Sequence, residues 1–400
     1  MAKIGSDWSG TGLPETGLKV DYPEICAMYG LEEVQAAVEA MQGPIYTLST
    51  QTRLFQEEFA RFIGTKYAFA VTNAANALEM AAYLLDVKEG DEVIVPAITF
   101  FSTTLGILRL GGKVVFADID PLTYNVTADT IAKKITPKTK AIYVVHLYGL
   151  PADMDPIMDL AKKRGLPVVE DCAHTPGALY NGKKVGGIGD YGCFSFHTAK
   201  NMTTLGEGGM LTTNHDDAAA DIPALRHVGL RGYKDQKQYW KPYFYDVTRV
   251  RGRIPYNFCM NEIQAAVGRV QLKRVDALND KRREIAGKLI DGLKGVKGLQ
   301  LPTEPAGRKH VYHLFQTVID GDRDAFVGTL HDKYSIRTAP LYPPVYRFTI
   351  YREMGYKEGI APVAERIFDH STCLPMTPAL TDKQIDYMID SVRKSLAESR

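Results

Sequence analysis

The sequence predicts a doubly wound α/β fold, in which a mainly parallel sheet is followed by a smaller α+β region. Two observations predict this fold class. Short apolar runs alternate with amphipathic helical segments over the first two thirds of the chain. Beyond about residue 260, one long helical stretch leads into mixed strand-like and helix-like segments. We therefore expect a large domain with an N-terminal arm over residues 1–260, and a linking helix and small C-terminal domain over residues 261–400.

The strands predicted for the large domain are short and almost wholly apolar, which is typical of parallel strands covered on both faces. The strand runs are YAFAV (67–71), DEVIVP (91–96), KVVFADI (113–119), KAIYVVHL (140–147) and LPVVED (166–171), and the helical patterns between them include ANALEMAAYLL, TADTIAKKI and DPIMDLAKKRG. In such sheets ligands bind at the carboxyl ends of the strands. Residues that follow the strands are therefore the candidates for chemistry.

The second part of the chain has a different pattern. A basic, aromatic and turn-rich segment covers residues 231–255, and a long amphipathic helix is predicted over 261–293. YHLFQTVI (312–319) is predicted to be a strand, and DAFVGTLHDKY and TDKQIDYMIDSVRKSLAE are predicted to be helices. These segments suit a small α+β domain.

Composition excludes several classes of function. The formal net charge is +1, so nothing in the overall charge points to nucleic acid or to a membrane surface. No run is long and apolar enough for a transmembrane helix, and the N-terminus lacks the apolar segment of a secretory signal. The five cysteines form no CxxC pair, which suggests reduced thiols in the cytoplasm. The nine histidines have no metal-ligand spacing, so we expect no metal.

Two residues at strand ends, Asp171 and Lys200, suggest chemistry with pyridoxal phosphate. A carboxylate at the end of VVED is costly to bury unless it meets a cation, so Asp171 is either a cap or turn residue or the partner of a cofactor ring nitrogen. Lys200 closes FSFHTAK before a glycine-dense turn, and is either a surface lysine or the amine that bonds to the cofactor aldehyde. Together they would flank one planar cofactor.

Three further segments bear on this hypothesis. In VTNAANALEM (71–80) a helix starts directly after a strand, which suits a phosphate, although a plain N-cap at Asn73 explains the pattern equally well. Phe100 follows DEVIVP and would either stack on a flat ring or belong to the core. GIGDYG (187–192) matches the dinucleotide fingerprint, but it follows a polar turn and precedes a strand-like run, so we predict an ordinary turn.

Residues 168–214, VVEDCAHTPGALYNGKKVGGIGDYGCFSFHTAKNMTTLGEGGMLTTN, resemble the signature region of the DegT/DnrJ/EryC1/StrS aminotransferases. These are the sugar-aminotransferase branch of the fold-type I pyridoxal phosphate enzymes. The resemblance continues through YNFCMNEIQAAVGRVQL (256–272), YHLF (312–315) and LPMTPALTDKQID (374–386), and covers nearly all of the chain after about residue 30.

The resemblance implies a role for each matching position. Lys200 would carry the cofactor and move the substrate proton, Asp171 would pair with the pyridine nitrogen, and His174 would lie near the phenolic oxygen and the substrate. Phe100 would stack on the ring, His313 in YHLF is a candidate substrate contact, and the residues around the phosphate would be Thr72, Asn73, Ala74, Ala75 and Ser195. Asn257 resembles the asparagine that this family contributes from the neighbouring subunit, which implies a homodimer with shared active sites.

One position departs from the family pattern. The family usually has Gly-Thr where this chain has Ala74-Ala75, so a hydroxyl expected at the phosphate is missing. The side chain of Asn73 or Asn76 is a candidate replacement.

The resemblance implies transfer of an amino group from glutamate or glutamine to a keto group of a sugar. Arg249, Arg251 and Arg253 lie among aromatic residues and would bind the phosphates of a nucleotide-linked acceptor, unless this segment is only a solvated loop. A cyclitol ketone is the second candidate for the acceptor. A sugar dehydratase would also suit the fold, but dehydratases of this family have histidine in place of the lysine. A silent regulatory homologue would have lost Asp171 or Lys200, and this chain keeps both.

Overall fold

The structure, a computed structural model, describes residues 17–22, 28–43, 47–232, 240 and 245–398. Cys26, most of the predicted N-terminal arm, and residues 233–239 and 241–244 of the basic, aromatic segment lie outside the described residues.

The described elements alternate along the chain as the sequence predicts. The strands are β1 (Tyr67–Val71), β2 (Glu92–Pro96), β3 (Lys113–Ala117), β4 (Thr139–Val145), β5 (Val168–Asp171), β6 (Leu179–Tyr180), β7 (Lys183–Lys184), β8 (Tyr191–Ser195), β9 (Gly209–Thr213), β10 (Leu230–Gly232), β11 (Tyr245–Val247), β12 (Leu299–Gln300), β13 (Arg308–Lys309), β14 (Phe315–Ile319) and β15 (Ser371–Leu374). The helices are α1 (Leu31–Gln42), α2 (Thr50–Ile63), α3 (Ala74–Leu84), α4 (Ser102–Arg109), α5 (Ala128–Ala132), α6 (Met154–Arg164), α7 (Asp216–Arg226), α8 (Glu262–Leu293), α9 (Arg323–Asp332), α10 (Thr349–Glu353), α11 (Pro362–Asp369) and α12 (Asp382–Glu398).

The central sheet has seven strands in the order β1-β9-β8-β5-β4-β2-β3. The strands from β8 to β3 pair in parallel, whereas β9 is antiparallel to both of its neighbours. The sheet is therefore mainly parallel, as predicted. The expectation that YAFAV pairs as a parallel strand was wrong in detail, because β9 lies between β1 and β8. The connection from β8 to β9 contains no helix, so the chain turns back on itself without a crossover.

Helices cover both faces of the sheet. Alternate residues of β4 enter two different apolar clusters, Tyr143 on one face and Ile142 on the other. The first cluster takes side chains from α3, α4 and α7 and from residues 345–373, and the second takes them from α2, α6 and the first half of α8. This two-sided cover confirms the doubly wound architecture.

The C-terminal part of the chain adds a separate antiparallel sheet of β12, β14 and β15. The second half of α8 packs there with α9 and α12 through a third apolar cluster. Helix α8 therefore runs from the large sheet to this smaller unit, about 48 Å by the usual helical rise. The division of the chain at residue 260 stays a prediction.

The strand predicted at 312–319 begins later than expected, at Phe315. Tyr312 has a φ of 43°, a left-handed conformation that interrupts an extended strand. The backbone N–H groups of Val311 and Leu314 donate instead to Gly149 and Tyr148 across the domain. These bonds bring the preceding residues, including His313, against the carboxyl edge of the large sheet.

The segment GIGDYG forms a turn that leads directly into β8, as predicted. Its backbone does hold an anion, but that anion is a side chain of this protein. The N–H groups of Gly186, Ile188 and Gly189 donate to the carboxylate of Glu170 at 2.9, 2.8 and 2.7 Å. Among the described residues, no helix has the length and apolar character that spanning a membrane requires.

Candidate active site

The candidate site lies at the carboxyl edge of the central sheet, where β4, β5 and β8 end side by side. Register pairs Val145 with Asp171 and Asp171 with Cys193, so Asp171 occupies the middle of this edge. On the other side of β8, register aligns Ser195 with Gly209 and Gly209 with Val71. Parallel topology has therefore collected residues that are far apart in the sequence.

Asp171 is a buried carboxylate with few partners. Its side chain is 4% exposed; Oδ1 accepts a hydrogen bond from the N–H of Ala173 at 3.0 Å and Oδ2 accepts one from the Thr103 hydroxyl at 2.8 Å. Burial raises the pKa of Asp171, and these hydrogen bonds and the charge of Lys200 offset only part of the rise. The bond to Ala173 is that of a turn residue, yet both oxygens keep lone pairs that would accept from a cation.

Lys200 lies in a turn just after β8, with its backbone N–H donating to His197 at 2.9 Å. The residue is half-buried, so it is not a freely exposed surface lysine. Its charge acts on the pKa of Asp171, His174 and His313. The structure therefore brings Lys200 and Asp171 into one site.

Glycines after Lys200 let its loop pack closely on the start of α3. A Cβ on Gly208 would lie 1.9 Å from the Thr204 hydroxyl, and one on Gly209 would lie 2.5 Å from the carbonyl carbon of Asn73. A side chain at either position would therefore force the neighbouring atoms to move. The glycine-dense segment thus serves close packing at the site.

The start of α3 provides backbone donors beside Ser195 and Thr72. Asn73 is the N-cap of the helix, with its side chain accepting from the N–H of Asn76 at 2.9 Å, so the plain-cap interpretation is correct for this side chain. The N–H groups of Ala74 and Ala75 make no hydrogen bond within the part of the chain that the structure describes. Such donors at a helix start suit a phosphate.

Phe100 is exposed rather than part of the core. Its side chain is 44% exposed, and its ring centroid lies 4.3 Å from that of Phe101 and 6.2 Å from that of Tyr342. An exposed ring that follows β2 at the carboxyl edge of the sheet has the position that stacking on a planar ligand requires.

His174 and His313 form a stacked pair, with ring centroids 4.3 Å apart and an interplanar angle of 28°. Burial lowers the pKa of both imidazoles well below the ordinary value. His174 also accepts from the N–H of Tyr148 at 3.3 Å and lies 3.4 Å from the Tyr342 hydroxyl. Both histidines are therefore neutral hydrogen-bonding groups.

Sequence reasoning missed three residues of the site: Thr103, Tyr148 and Tyr342. Thr103 had a signal, because it lies one helical turn after Phe100 in the segment that follows β2. Tyr148 has a φ of 59°, a strained conformation for a bulky residue that no sequence pattern shows. Tyr342 comes from the distant C-terminal part, so only the tertiary fold reveals it.

A buried cluster of His146, Glu170 and Cys172 has its ligand atoms within 4.8 Å of one another, a spacing that suits a metal. Hydrogen bonds already use the ligand atoms of His146 and Glu170, however. The His146 Nδ1 accepts from the N–H of Ala152 at 3.0 Å, so its Nε2 carries the proton and donates to Glu170 at 3.0 Å. Burial alone would raise the pKa of Glu170, but His146 and the loop N–H groups hold it below its usual value. His146 and Glu170 are therefore already satisfied by hydrogen bonds within the fold.

Two of the three arginines that were predicted to bind the substrate form ion pairs within the fold. Arg251 pairs with Asp221 at 2.8 Å and also donates to the carbonyl of Leu84, at the end of α3 remote from Asn73. Arg253 pairs with Asp86 at 2.7 Å. These guanidinium groups are used to hold residues 245–255 against the large domain, which argues against a role in binding phosphate. Arg249 is exposed, and its one hydrogen bond within the described residues goes to the carbonyl of Gly252 at 3.4 Å.

Asn257 has an exposed side chain close in sequence to a residue that bonds to the end of β1. The carbonyl of the following residue, Phe258, accepts from the N–H of Thr72 at 3.1 Å. Around Asn257 is a groove of about 400 Å³, whose lining includes Arg249 and the exposed apolar residues Val228, Val247 and Ile254.

Known proteins share this chain's sequence and fold. Residues 28–393 match the model of the DegT/DnrJ/EryC1/StrS aminotransferase family. The chain is 38% identical over 352 residues to a UDP-N-acetyl-3-dehydro-alpha-D-glucosamine 3-aminotransferase of Acidithiobacillus ferrooxidans, covering 88% of this chain and 90% of that protein. The structure resembles S. venezuelae DesV in complex with a ketimine intermediate, with a TM-score of 0.83, 32% identity and coverage of 92% and 94%.

A second solved structure is the PLP form of the putative sugar aminotransferase Spr1654 from Streptococcus pneumoniae. It has a TM-score of 0.86 at 26% identity, with coverage of 94% of this chain and 99% of that one. The family model covers most of the chain, and the architecture is the α/β fold of fold type I. This protein is therefore an aminotransferase and belongs to the DegT/DnrJ/EryC1/StrS aminotransferase family.

Proposed function

We propose that this aminotransferase uses pyridoxal phosphate to transfer an amino group from glutamate or glutamine to the keto group of a nucleotide-linked sugar. The observation that carries the proposal is the placement of Asp171 and Lys200 in one site at the carboxyl edge of the sheet. A buried carboxylate with only two donors and a nearby amine are the two groups that this cofactor requires from its protein.

The residues present fit the cofactor. Asp171 would meet the ring nitrogen, the N–H groups of Ala74 and Ala75 would hold the phosphate, and the exposed face of Phe100 would cover the ring. Within the described residues, the Ser195 hydroxyl accepts a long hydrogen bond of 3.3 Å from the N–H of His197, and its own proton is available for the phosphate.

The Thr72 hydroxyl can take the place of the threonine hydroxyl that the family usually has and that this chain, with Ala74-Ala75, lacks. Asn73 is already used as the helix cap, and the Asn76 amide donates to the Thr72 hydroxyl. These bonds argue against either asparagine as a phosphate ligand. They leave the Thr72 hydroxyl, oriented by Asn76, free to donate its own proton to a phosphate oxygen.

Each residue has a distinct part in the chemistry. Bound pyridoxal phosphate supplies an electron sink for the charge left on the substrate when its proton departs. The Asp171 carboxylate would hold a proton on the ring nitrogen, and so sustain that electron demand. The Lys200 Nζ would move a proton between the substrate carbon and the cofactor. The neutral His174 donates from Nε2 within the site, and the Phe100 ring keeps water from one face.

A homodimer is part of the proposal. Within its own chain Asn257 is exposed, and the surrounding Val228, Val247 and Ile254 are 39%, 58% and 73% exposed. Apolar side chains with this exposure around a groove favour a protein interface. The family resemblance supports a partner site as the occupant, with Asn257 of one subunit completing the phosphate site of the other.

The acceptor is assigned by similarity and by charge. The relative from Acidithiobacillus ferrooxidans is named for a UDP-linked keto sugar. Arg249 shares the groove with Asn257, and within the described residues most of its donors are available for a phosphate, whereas those of Arg251 and Arg253 are used in ion pairs. The free, separated cysteines among the described residues support a cytoplasmic location.

The test separates the two half-reactions. Purified protein is first incubated with glutamate or glutamine, and the change in cofactor absorbance is recorded. The amino form is then offered UDP-, dTDP- and GDP-linked keto sugars, with a free cyclitol ketone as comparison. Return of the original spectrum with a nucleotide-linked sugar is expected, and response to the cyclitol alone would reject the proposed acceptor.

Variants test the site in the same assay. Asp171→Ala is expected to fold and bind cofactor but to lose about two orders of magnitude in turnover, the scale on which preorganised charges act. Arg249→Ala should raise the KM of the nucleotide-linked acceptor, whereas Arg251→Ala should chiefly lower stability. Near-normal turnover of cofactor-loaded Asp171→Ala would contradict the assigned role.

A further inference from the structure

Hydrogen bonds determine which nitrogen of His313 carries its proton. The Asn201 amide nitrogen donates to the carbonyl of Val311 at 3.1 Å and to Asn279 Oδ1 at 2.9 Å, and Asn279 in turn donates to the carbonyl of Pro176 at 2.8 Å. A carbonyl oxygen only accepts, so both amides are fixed in orientation. The Asn201 oxygen therefore faces the His313 Nδ1 at 3.1 Å, and His313 must donate from Nδ1.

The opposite tautomer is fixed on His174. Its Nδ1 lies 3.3 Å from the backbone N–H of Tyr148, which can only donate. His174 Nδ1 is therefore an acceptor, and the proton is on Nε2, which lies 3.4 Å from the Tyr342 hydroxyl.

The two rings thus present different groups to the site. They are stacked 4.3 Å apart and are 3% and 2% exposed, and two positive rings at that distance would repel each other. His174 offers an N–H donor at Nε2, while His313 keeps a lone pair at Nε2. Within the described part of the chain, the Nε2 of His313 has no hydrogen-bond partner.

We propose that the Nε2 lone pair of His313 accepts a hydrogen bond from a hydroxyl of the keto sugar beside its carbonyl, and that Asn201 is the positioning residue that fixes this tautomer. The inference rests on the proposed function for the identity of the substrate, because a hydroxyl next to the carbonyl is a donor that a plain ketone lacks. Asn201 directly follows Lys200, so one buried side chain holds both the lysine turn and the orientation of His313.

The tautomers can be measured without any substrate. Protein labelled with ¹⁵N in its histidines is examined by long-range ¹H–¹⁵N correlation spectra, with the signals of His313 assigned by their loss in His313→Gln. We expect a protonated Nδ1 and a bare Nε2 for His313, and the reverse for His174. Asn201→Ala should convert His313 to a mixture of tautomers. A protonated Nε2 on His313 in the unaltered protein would overturn the proposal, whatever the enzyme's substrate is.

The kinetic test uses two replacements that mimic different halves of the ring. His313→Asn can keep a donor towards Asn201 but has nothing at the place of Nε2, whereas His313→Gln can put an amide oxygen there. The acceptor KM should rise about 3- to 10-fold in His313→Asn, as expected for one neutral hydrogen bond, and less in His313→Gln. The KM of the amino donor should stay within about 2-fold of its value in the unaltered enzyme, because the lost hydrogen bond is one to the acceptor.

His310→Gln is the matched control, since His310 is equally buried but stacks on Tyr312 at 3.9 Å instead of on His174. It should leave the acceptor KM unchanged. An acceptor lacking the neighbouring hydroxyl should abolish the difference between His313→Asn and the unaltered enzyme. An equal KM rise in His310→Gln, or a rise that persists with the deoxy acceptor, would refute the role of His313. Failure of every keto sugar in the unaltered enzyme would instead refute the proposed function, and the spectra would still decide the tautomers.

Discussion

Replacing Thr103 by valine tests how the protein holds a buried carboxylate before any cofactor binds. The Thr103 hydroxyl donates to Asp171 Oδ2 at 2.8 Å, and both side chains are buried. Valine keeps the shape of threonine and removes the donor. A hydrogen bond to a charged group contributes about 1.5–3 kcal/mol to stability. The variant should therefore lose free energy of unfolding in that range through Asp171.

The neighbouring Thr104 provides a matched control. Its hydroxyl is also buried and lies 2.7 Å from the carbonyl of Phe101, just as the Thr103 hydroxyl lies 2.9 Å from the carbonyl of Phe100. Thr104 pairs with the Tyr351 hydroxyl instead of a carboxylate. The difference in stability between Thr103→Val and Thr104→Val thus isolates the bond to Asp171.

The effect should depend on pH in a defined direction. Burial raises the pKa of Asp171 in the folded protein, so ionisation of this group costs stability as the pH rises through the raised pKa. The Thr103 donor stabilises the ionised form. Its loss should therefore matter fully above the raised pKa, and should matter less as the pH falls through that pKa and Asp171 becomes protonated.

The assay is urea unfolding of the cofactor-free protein over a series of pH values, with both variants at the same concentration. Thr103→Val is expected to be less stable than Thr104→Val by about 1.5–3 kcal/mol at the alkaline end of the series, with a gap that narrows as the pH falls. Equal losses for the two variants at the alkaline end, or a gap that widens as the pH falls, would show that Asp171 is not held by Thr103 as an ionised carboxylate.

Three shorter predictions concern the cofactor, the interface and the loop. Borohydride treatment of the loaded enzyme followed by peptide mapping should place the label on Lys200, and a label on another lysine would reject the assignment. Mixed dimers of Lys200→Ala with Asn257→Ala subunits should regain activity, because one site then has both residues; no recovery would mean that Asn257 acts within its own chain. Gly208→Ala should impair cofactor binding and lower the melting temperature, since its Cβ would meet Thr204, whereas Gly287→Ala on α8 meets nothing within 4 Å and should do neither.

The sequence predicted the sheet well because its strands are buried on both faces. A run such as YAFAV is far more typical of a buried strand than of a helix, and the structure has β1 there. The direction of its neighbour was not predictable, because pairing depends on the route of the chain between β8 and β9. The late start of β14 was also not predictable, because the backbone hydrogen bonds that bend residues 311–314 join them to the distant turn at 147–149.

The site was predictable where the chemistry depends on strand ends. Asp171 and Lys200 follow apolar runs, so topology alone placed them at one edge.

Arg251 and Arg253 show the limit of this reasoning. Their charge and spacing suited a phosphate, but their partners Asp221 and Asp86 come from remote parts of the chain. Composition alone cannot distinguish an arginine that binds a ligand from one that forms an ion pair within the fold.

The two consecutive carboxylates of β5 show how one strand serves both stability and chemistry. Successive side chains point to opposite faces, so Glu170 and Asp171 are buried in different surroundings. Glu170 receives donors from His146 and from the loop before β8, and its pKa is held below the usual value. Asp171 receives fewer donors, and burial raises its pKa. The fold therefore satisfies the Glu170 carboxylate internally, whereas for the Asp171 carboxylate the hydrogen bonds and the charge of Lys200 offset only part of the effect of burial. A protonated cofactor ring would supply further positive charge.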